Sequence, residues 1–169
     1  MGYLFDTQMS QFISPDMMGK SAGTWTPTLA TNTVGAVRTA GAATFNLFVP
    51  IVVPGNAAGL KGSRLKSIDL FWKNATADLN SVTTVELEKV TLPANGSAVT
   101  AAAVTTTLDS NNDTTAKRIT QAAHKMTVSV TVPEWVAAGT VYWLYVTFDC
   151  AATSALTLWG AQANFDLRA

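Results

Sequence analysis

Apolar and polar side chains alternate one by one along much of this chain. Met126, Val128, Val130 and Val132 are interleaved with Thr127, Ser129 and Thr131. A period of two marks a strand with one dry and one wet face. Pro133 and Gly139 then bracket a turn, and residues 140–148 follow as a second strand with large side chains on both faces. The same reading predicts strands over 44–53, 64–74, 82–92, 99–108 and 155–167. Loops are expected at 54–63, at 93–97 around the turn dipeptide Asn95-Gly96, and at 109–115. Residues 116–123 fit either a short helix or an edge strand.

Two of these strands change phase. In 82–92, Val85 and Leu87 share a face, whereas Val90 and Leu92 have the opposite parity. A one-residue bulge near Glu88 and Lys89 would bring both pairs to one side. In 155–167 the apolar row shifts parity near Gly160, which predicts a glycine bend that lets one strand serve two sheets. No helix of ten or more residues is predicted. The fold class is therefore all-β, an antiparallel two-sheet sandwich, jelly-roll-like or immunoglobulin-like, over residues 31–169.

Residues 1–30 lack sustained periodicity. Tyr3, Phe5, Phe12, Met17, Met18 and Trp25 lie among Gly, Ser, Thr and Pro. A disordered tail is poorer in such residues. The segment is expected to be an extended N-terminal arm that lies on a neighbouring subunit or wraps its own domain. A local helix near residues 6–13 is the other reading. On the arm reading, those six side chains contact a partner, and deleting residues 1–25 leaves a folded domain that no longer assembles.

Composition sharpens this picture at one point. Only 13% of the residues are charged and the formal net charge is zero, against about a quarter charged in ordinary soluble domains. Much of the surface must then be Thr, Ser, Asn, Ala and apolar groups, as expected of a surface covered by other chains or of a Thr-rich β-domain. Lys61, Arg64 and Lys66 make the only local basic group, and Asp69 follows closely. Nucleic acid needs several cations on one face, so no nucleic-acid partner is expected. The apolar stretch from 40 to 60 is interrupted by Asn46, Pro50, Pro54 and Asn56, so no bilayer span is expected either. The N-terminus does not read as a signal peptide.

Candidate chemistry is sparse. His124 is the sole histidine and Cys150 the sole cysteine. His124 is expected on a solvated sheet rim, and Cys150 as a buried structural thiol. One His and one Cys do not make a closed zinc site. Asp109, Asn111 and Asp113 open like a calcium loop, but Thr114 and Thr120 stand where the turn glycine and the bidentate glutamate belong. A polar loop held by side-chain-to-backbone bonds is the expectation. Glu86 and Glu88 should share a strand face if no bulge separates them. Trp72, Trp143 and Trp159 are expected in the core, and Trp135, in a turn, is a possible surface contact. No enzyme activity, cofactor or metal is expected.

The stretches SVTVPEWVAAGTVYWLYVTFDC, LTLWGAQANFDLRA and FVPIVVPGNAAGLKGSRLKSIDLFWK together resemble β-sandwich structural proteins of tailed bacteriophage virions. The resemblance spans roughly residues 44–168 and lies in texture rather than in a motif. It implies a non-enzymatic virion component, with capsid decoration or cement the first reading. Its partners would be copies of itself, a homotrimer favoured, and other virion proteins such as the major capsid protein. It would be made in the host cytoplasm and end in the virion. A tail or fibre receptor-binding knob, or a carbohydrate-binding module, is the alternative.

Overall fold

The computed structural model describes residues 6–30, 33–54, 62–93, 95–136 and 139–168. The strands are β1 (Asp6–Ile13), β2 (Gly19–Lys20), β3 (Trp25–Ala30), β4 (Thr33–Arg38), β5 (Ala43–Ile51), β6 (Ser63–Asn74), β7 (Ser81–Thr91), β8 (Thr100–Val104), β9 (Thr106–Leu108), β10 (Ala123–Val130), β11 (Thr140–Cys150) and β12 (Leu156–Arg168). A 3₁₀ turn, Pro15–Met17, joins β1 to β2, and one helical turn and a half, α1 (Thr115–Ile119), precedes β10. All strand pairs are antiparallel. The larger sheet runs β3-β4-β12-β6-β10-β9, with β1 also on β12. The smaller runs β2-β5-β11-β7-β8. The chain is thus an all-β, two-sheet antiparallel sandwich.

Alternation builds the core. Along β11 the inward row is Tyr142, Leu144, Val146, Phe148 and Cys150, all buried. Its neighbour β5 supplies Phe45, Leu47, Val49 and Ile51. From the larger sheet, Ile68, Leu70, Trp72, Met126, Val128, Ala161, Ala163 and Phe165 meet them. At one end, rings cross the sandwich in a chain. Trp25 meets the edge of Phe45, Phe45 stacks on Phe148 at 5.1 Å, Phe148 meets the edge of Trp72, and Trp72 stacks on His124 at 4.8 Å. Offset and edge-on ring pairs add stabilisation beyond their buried area.

Three sequence expectations are corrected by the ladders. The bulge in β7 lies at Thr83 and Thr84, where the register shifts between the Val146–Val85 and Phe148–Val82 pairs. No bulge follows at Glu88, so Val90 and Leu92 stay on the outer face. Gly160 does mark a phase change, but as a bulge within one sheet. β12 pairs with β6 on both sides of it, while its other neighbour changes from β4 to β1. The crossing between sheets occurs instead around Thr105, between β8 on β7 and β9 on β10. Gly160 sits at φ 129°, and a Cβ there would lie 2.8 Å from the Ile13 carbonyl oxygen and closer still to the Phe12 ring. A side chain is excluded both by backbone conformation and by the strand laid beside it.

The N-terminal segment wraps its own domain. β1 pairs with β12 over eight residues, β2 caps part of β5, and β3 and β4 form a hairpin on β12. Ile13 and Met18 are buried in the core. Ile13→Ala should therefore cost about 2–5 kcal/mol in chemical denaturation, and deleting residues 1–25 should lower stability further rather than leave the domain intact. An unchanged unfolding midpoint in either would contradict this packing. Gly160→Ala should destabilise by about 1–3 kcal/mol through the strained backbone alone.

Candidate functional site

The two sheets present unlike faces to the outside. On the larger sheet the middle of the outer face is a network of paired polar groups, with the exposed Phe12 of β1 beside it opposite Gln162. Ser10 donates to Asn164, Asn164 donates to Ser67 at 3.1 Å, and Thr127 donates to Asp69 at 2.6 Å. Lys125 pairs with Asp69, and Asp166 takes both Arg64 (2.9 Å) and Lys66 (3.4 Å). The Arg64 guanidinium also lies over the Trp135 ring at 4.9 Å. The local basic group noted in the sequence is thereby tied up as far as it is described; Lys61 lies outside the described residues.

The smaller sheet differs. Its outward positions on β5, β11 and β7 bring together Phe48, Pro50, Val141, Trp143, Tyr145, Val90 and two carboxylates, Glu86 and Glu88. Trp143, expected in the core, is on the outer row and 36% exposed. The error has a simple cause. β11 is apolar on both rows, so alternation alone cannot say which row faces in. Trp143 forms a ridge between two depressions of about 450 Å³ each. One is apolar, lined by Pro50, Val52, Val90, Leu92 and Val141. The other is lined by Phe48, Tyr145, Glu86 and Glu88. Phe48 and Tyr145 are cross-strand partners with ring centroids 5.1 Å apart. Tyr145 lies opposite Glu86 and Trp143 opposite Glu88.

The residues singled out in the sequence fall in different places. Tyr3 and Phe5 lie outside the described residues. Phe12 and Met17 are 61% and 56% exposed, whereas Met18 is in the core. Trp25 is half-buried against Phe45, with its Nε1 donating to the Ala22 carbonyl. Trp135 is half-buried beneath Arg64, and Trp159 is half-buried rather than core. None of these belongs to the outer face of the smaller sheet. The hairpin of β3 and β4 carries a further exposed apolar pair, Leu29 opposite Val34.

The reactive residues have structural work. His124 is buried, not solvated, because Trp72 covers its ring and its Nε2 lies 2.9 Å from the Thr120 carbonyl oxygen. Cys150 is buried, and burial pushes its thiol pKa up. The Asp109 carboxylate organises its loop as expected. It accepts from the amides of Asn111 (3.0 Å) and Thr127 (2.7 Å) and from the Asn112 side chain. Arg118 is buried behind this loop and donates to the carbonyls of Asn112 and Val82. Among the described residues no group of three His, Cys, Asp or Glu is arranged to hold a metal ion, and no helix is long and apolar enough to cross a membrane.

Desolvation raises the Asp109 pKa, but its hydrogen bonds from Thr127, Asn112 and Asn111 outweigh this and hold it below the usual value. A depressed folded pKa gives stability that is complete above about pH 4 and fades as pH falls through the folded value. Asp109→Asn should thus destabilise at pH 7, with the gap to the wild type closing in acid. A gap that stays constant down to pH 2 would contradict that role for the carboxylate. Cys150 should resist thiol reagents in the native protein and react on unfolding; fast native labelling would contradict its burial. No family model matches the chain, and no curated protein matches it in sequence.

Proposed function

We propose that this protein is a non-enzymatic structural component that works by docking against other protein subunits, in the manner of the virion β-sandwich proteins it resembles. Capsid decoration or cement is the form of that role we favour, with a homotrimer as the working unit and the major capsid protein as its support. The observation that carries the reading is the outer face of the smaller sheet. Pro50, Val90, Val141 and Trp143 on the middle strands, with Val52 and Leu92 just past the ends of β5 and β7, line one apolar depression. Contiguous apolar patches of this kind mark interaction sites, whereas singly scattered ones do not. The opposite sheet, whose polar groups bond one another, shows that the same chain can build a wet face where one is wanted.

Two other features support the reading. β8 is an edge strand of sequence TAAAV with neither charge nor proline to block pairing with another chain. Leu29 is 86% exposed on the β3–β4 hairpin, an apolar residue suited to insertion into a neighbour. Each large side chain fully covered contributes about 1.5–3 kcal/mol before ordering costs, and repeated copies on a shell multiply weak contacts.

Sedimentation tests this directly. The wild-type chain should sediment as a homo-oligomer, and Val90→Lys with Leu92→Lys should shift it to the monomer while leaving its melting temperature within a few degrees, since both residues point outward. A wild-type protein that stays monomeric at every concentration, or a double variant that associates unchanged, would overturn the reading.

A further inference from the structure

The second depression on this face has a different chemistry, and we infer that it receives an arginine side chain from a partner protein. The inference rests on the docking reading above and names what the partner must present. Three aromatic rings and two carboxylates converge there: Phe48, Trp143, Tyr145, Glu86 and Glu88. The carboxylates sit two apart on β7, so they share a face about 7 Å apart along the strand. Like charges so placed repel. Among the described residues, no Lys or Arg nitrogen comes within 4.0 Å of either one, although the nearby Lys89 pairs with Glu134. The depression is thus an uncompensated negative site walled by π faces.

That combination selects a cation. Ring faces attract positive charge, and carboxylates complete the site with acceptors. A neutral sugar fits less well. It needs donors as well as acceptors, and the lining side chains offer only the Trp143 Nε1 and the Tyr145 hydroxyl as donors. A sugar also leaves the repulsion between Glu86 and Glu88 in place. Between the two basic side chains, the flat guanidinium suits this site better than the compact ammonium. It stacks on Trp or Tyr while its fork of N–H groups reaches a carboxylate with two bonds.

Among the described side chains a second copy offers no arginine to this site: Arg38 and Arg118 are buried within their own fold, and Arg64 is held by Asp166 and Trp135. The fourth arginine, Arg168, ends β12 in the larger sheet and its side chain lies outside the described residues, so we assign the cation to another protein. The depression therefore complements the apolar one across the Trp143 ridge. The apolar side is the general adhesive surface, and the anionic side chooses a partner whose contact carries arginine.

The probe is a short, capped peptide with two arginines two positions apart and glycine elsewhere, titrated into the full-length protein. The readout is the indole N–H signal of Trp143 in a nitrogen–proton spectrum, assigned by its loss in Trp143→Phe. That signal should move saturably while those of Trp25, Trp72 and Trp159 stay still. Glu86→Gln with Glu88→Gln should weaken binding roughly tenfold, and a matching lysine peptide should bind more weakly than the arginine one. No movement of Trp143, equal movement of every indole, or unchanged affinity in the Gln variant would overturn the inference. A neutral oligosaccharide that moves the Trp143 signal where the arginine peptide does not would assign the site to sugar instead. The oligomer measurement separates the two readings. If Val90→Lys with Leu92→Lys disperses the oligomer and the peptide fails to bind, only the arginine site falls; if the peptide binds a chain that never associates, the docking reading falls.

Discussion

The strict alternation of β11, at the centre of the smaller sheet, is the constraint on which the rest depends. Its inner row of Tyr142, Leu144, Val146, Phe148 and Cys150 is buried in the core along its whole length. Its outer row begins Val141, Trp143, Tyr145. The period is two, so a slip of one residue would exchange the rows. The bulge opposite Thr147, the stacked Phe45–Phe148 pair and the nine-residue ladder to β5 hold the register that keeps Phe148 in and Trp143 out. Once that register is set, the apolar outer row is unavoidable, and with it a surface that water solvates poorly.

The larger sheet resolves the same geometric problem differently. Its outer positions on β12, β6 and β10 include Asn164, Ser67, Asp69 and Thr127, where Asn164 donates to Ser67 and Thr127 to Asp69, and Asp166, which takes Arg64 and Lys66. A buried or half-buried polar group is costly when unpaired and nearly neutral when paired. The polar groups in the middle of that face are therefore satisfied by one another and by the neighbouring cations. The N-terminal strand adds to it through Ser10, and holds Ile13 against Gly160 so that the arm becomes part of the body. Paired polar groups in the middle of one sheet and apolar side chains in the middle of the other give the two faces different chemistry, with Phe12 a further exposed apolar group on the first.

Much of the fold was legible in the chain. The strands at 44–53, 64–74 and 82–92 lie within two residues of the observed ones, because each is bounded by turn signals, even though the apolar row of 82–92 changes phase. The site was harder to read. Where both rows carry large side chains, as in β11, period alone does not choose between them, and Trp143 faces out. The phase change in 82–92 predicts a bulge near Glu88, whereas the bulge lies at Thr83 and Thr84 and leaves Val90 and Leu92 outside. Nothing near His124 in the chain reveals its cover, because Trp72 comes from a different strand. The N-terminal strand leaves no local pattern, because its partner, β12, lies more than a hundred residues away and its own sequence mixes apolar and polar residues without period. In each case the deciding contact is long-range and leaves no local mark. The depression with Glu86 and Glu88 could have been suspected only from their shared parity, since their cross-strand partners Tyr145 and Trp143 depend on register.

The most direct test of the account is oxidative footprinting of the native assembly against the dispersed chain, read residue by residue. Cover over the smaller sheet predicts that Trp143 and Tyr145 are strongly protected in the assembly and react once it is dispersed, while Phe71, half-buried on the other sheet, reacts alike in both states. Equal reactivity of Trp143 and Tyr145 before and after dispersal would show that nothing rests on this face, and would contradict the account at its centre.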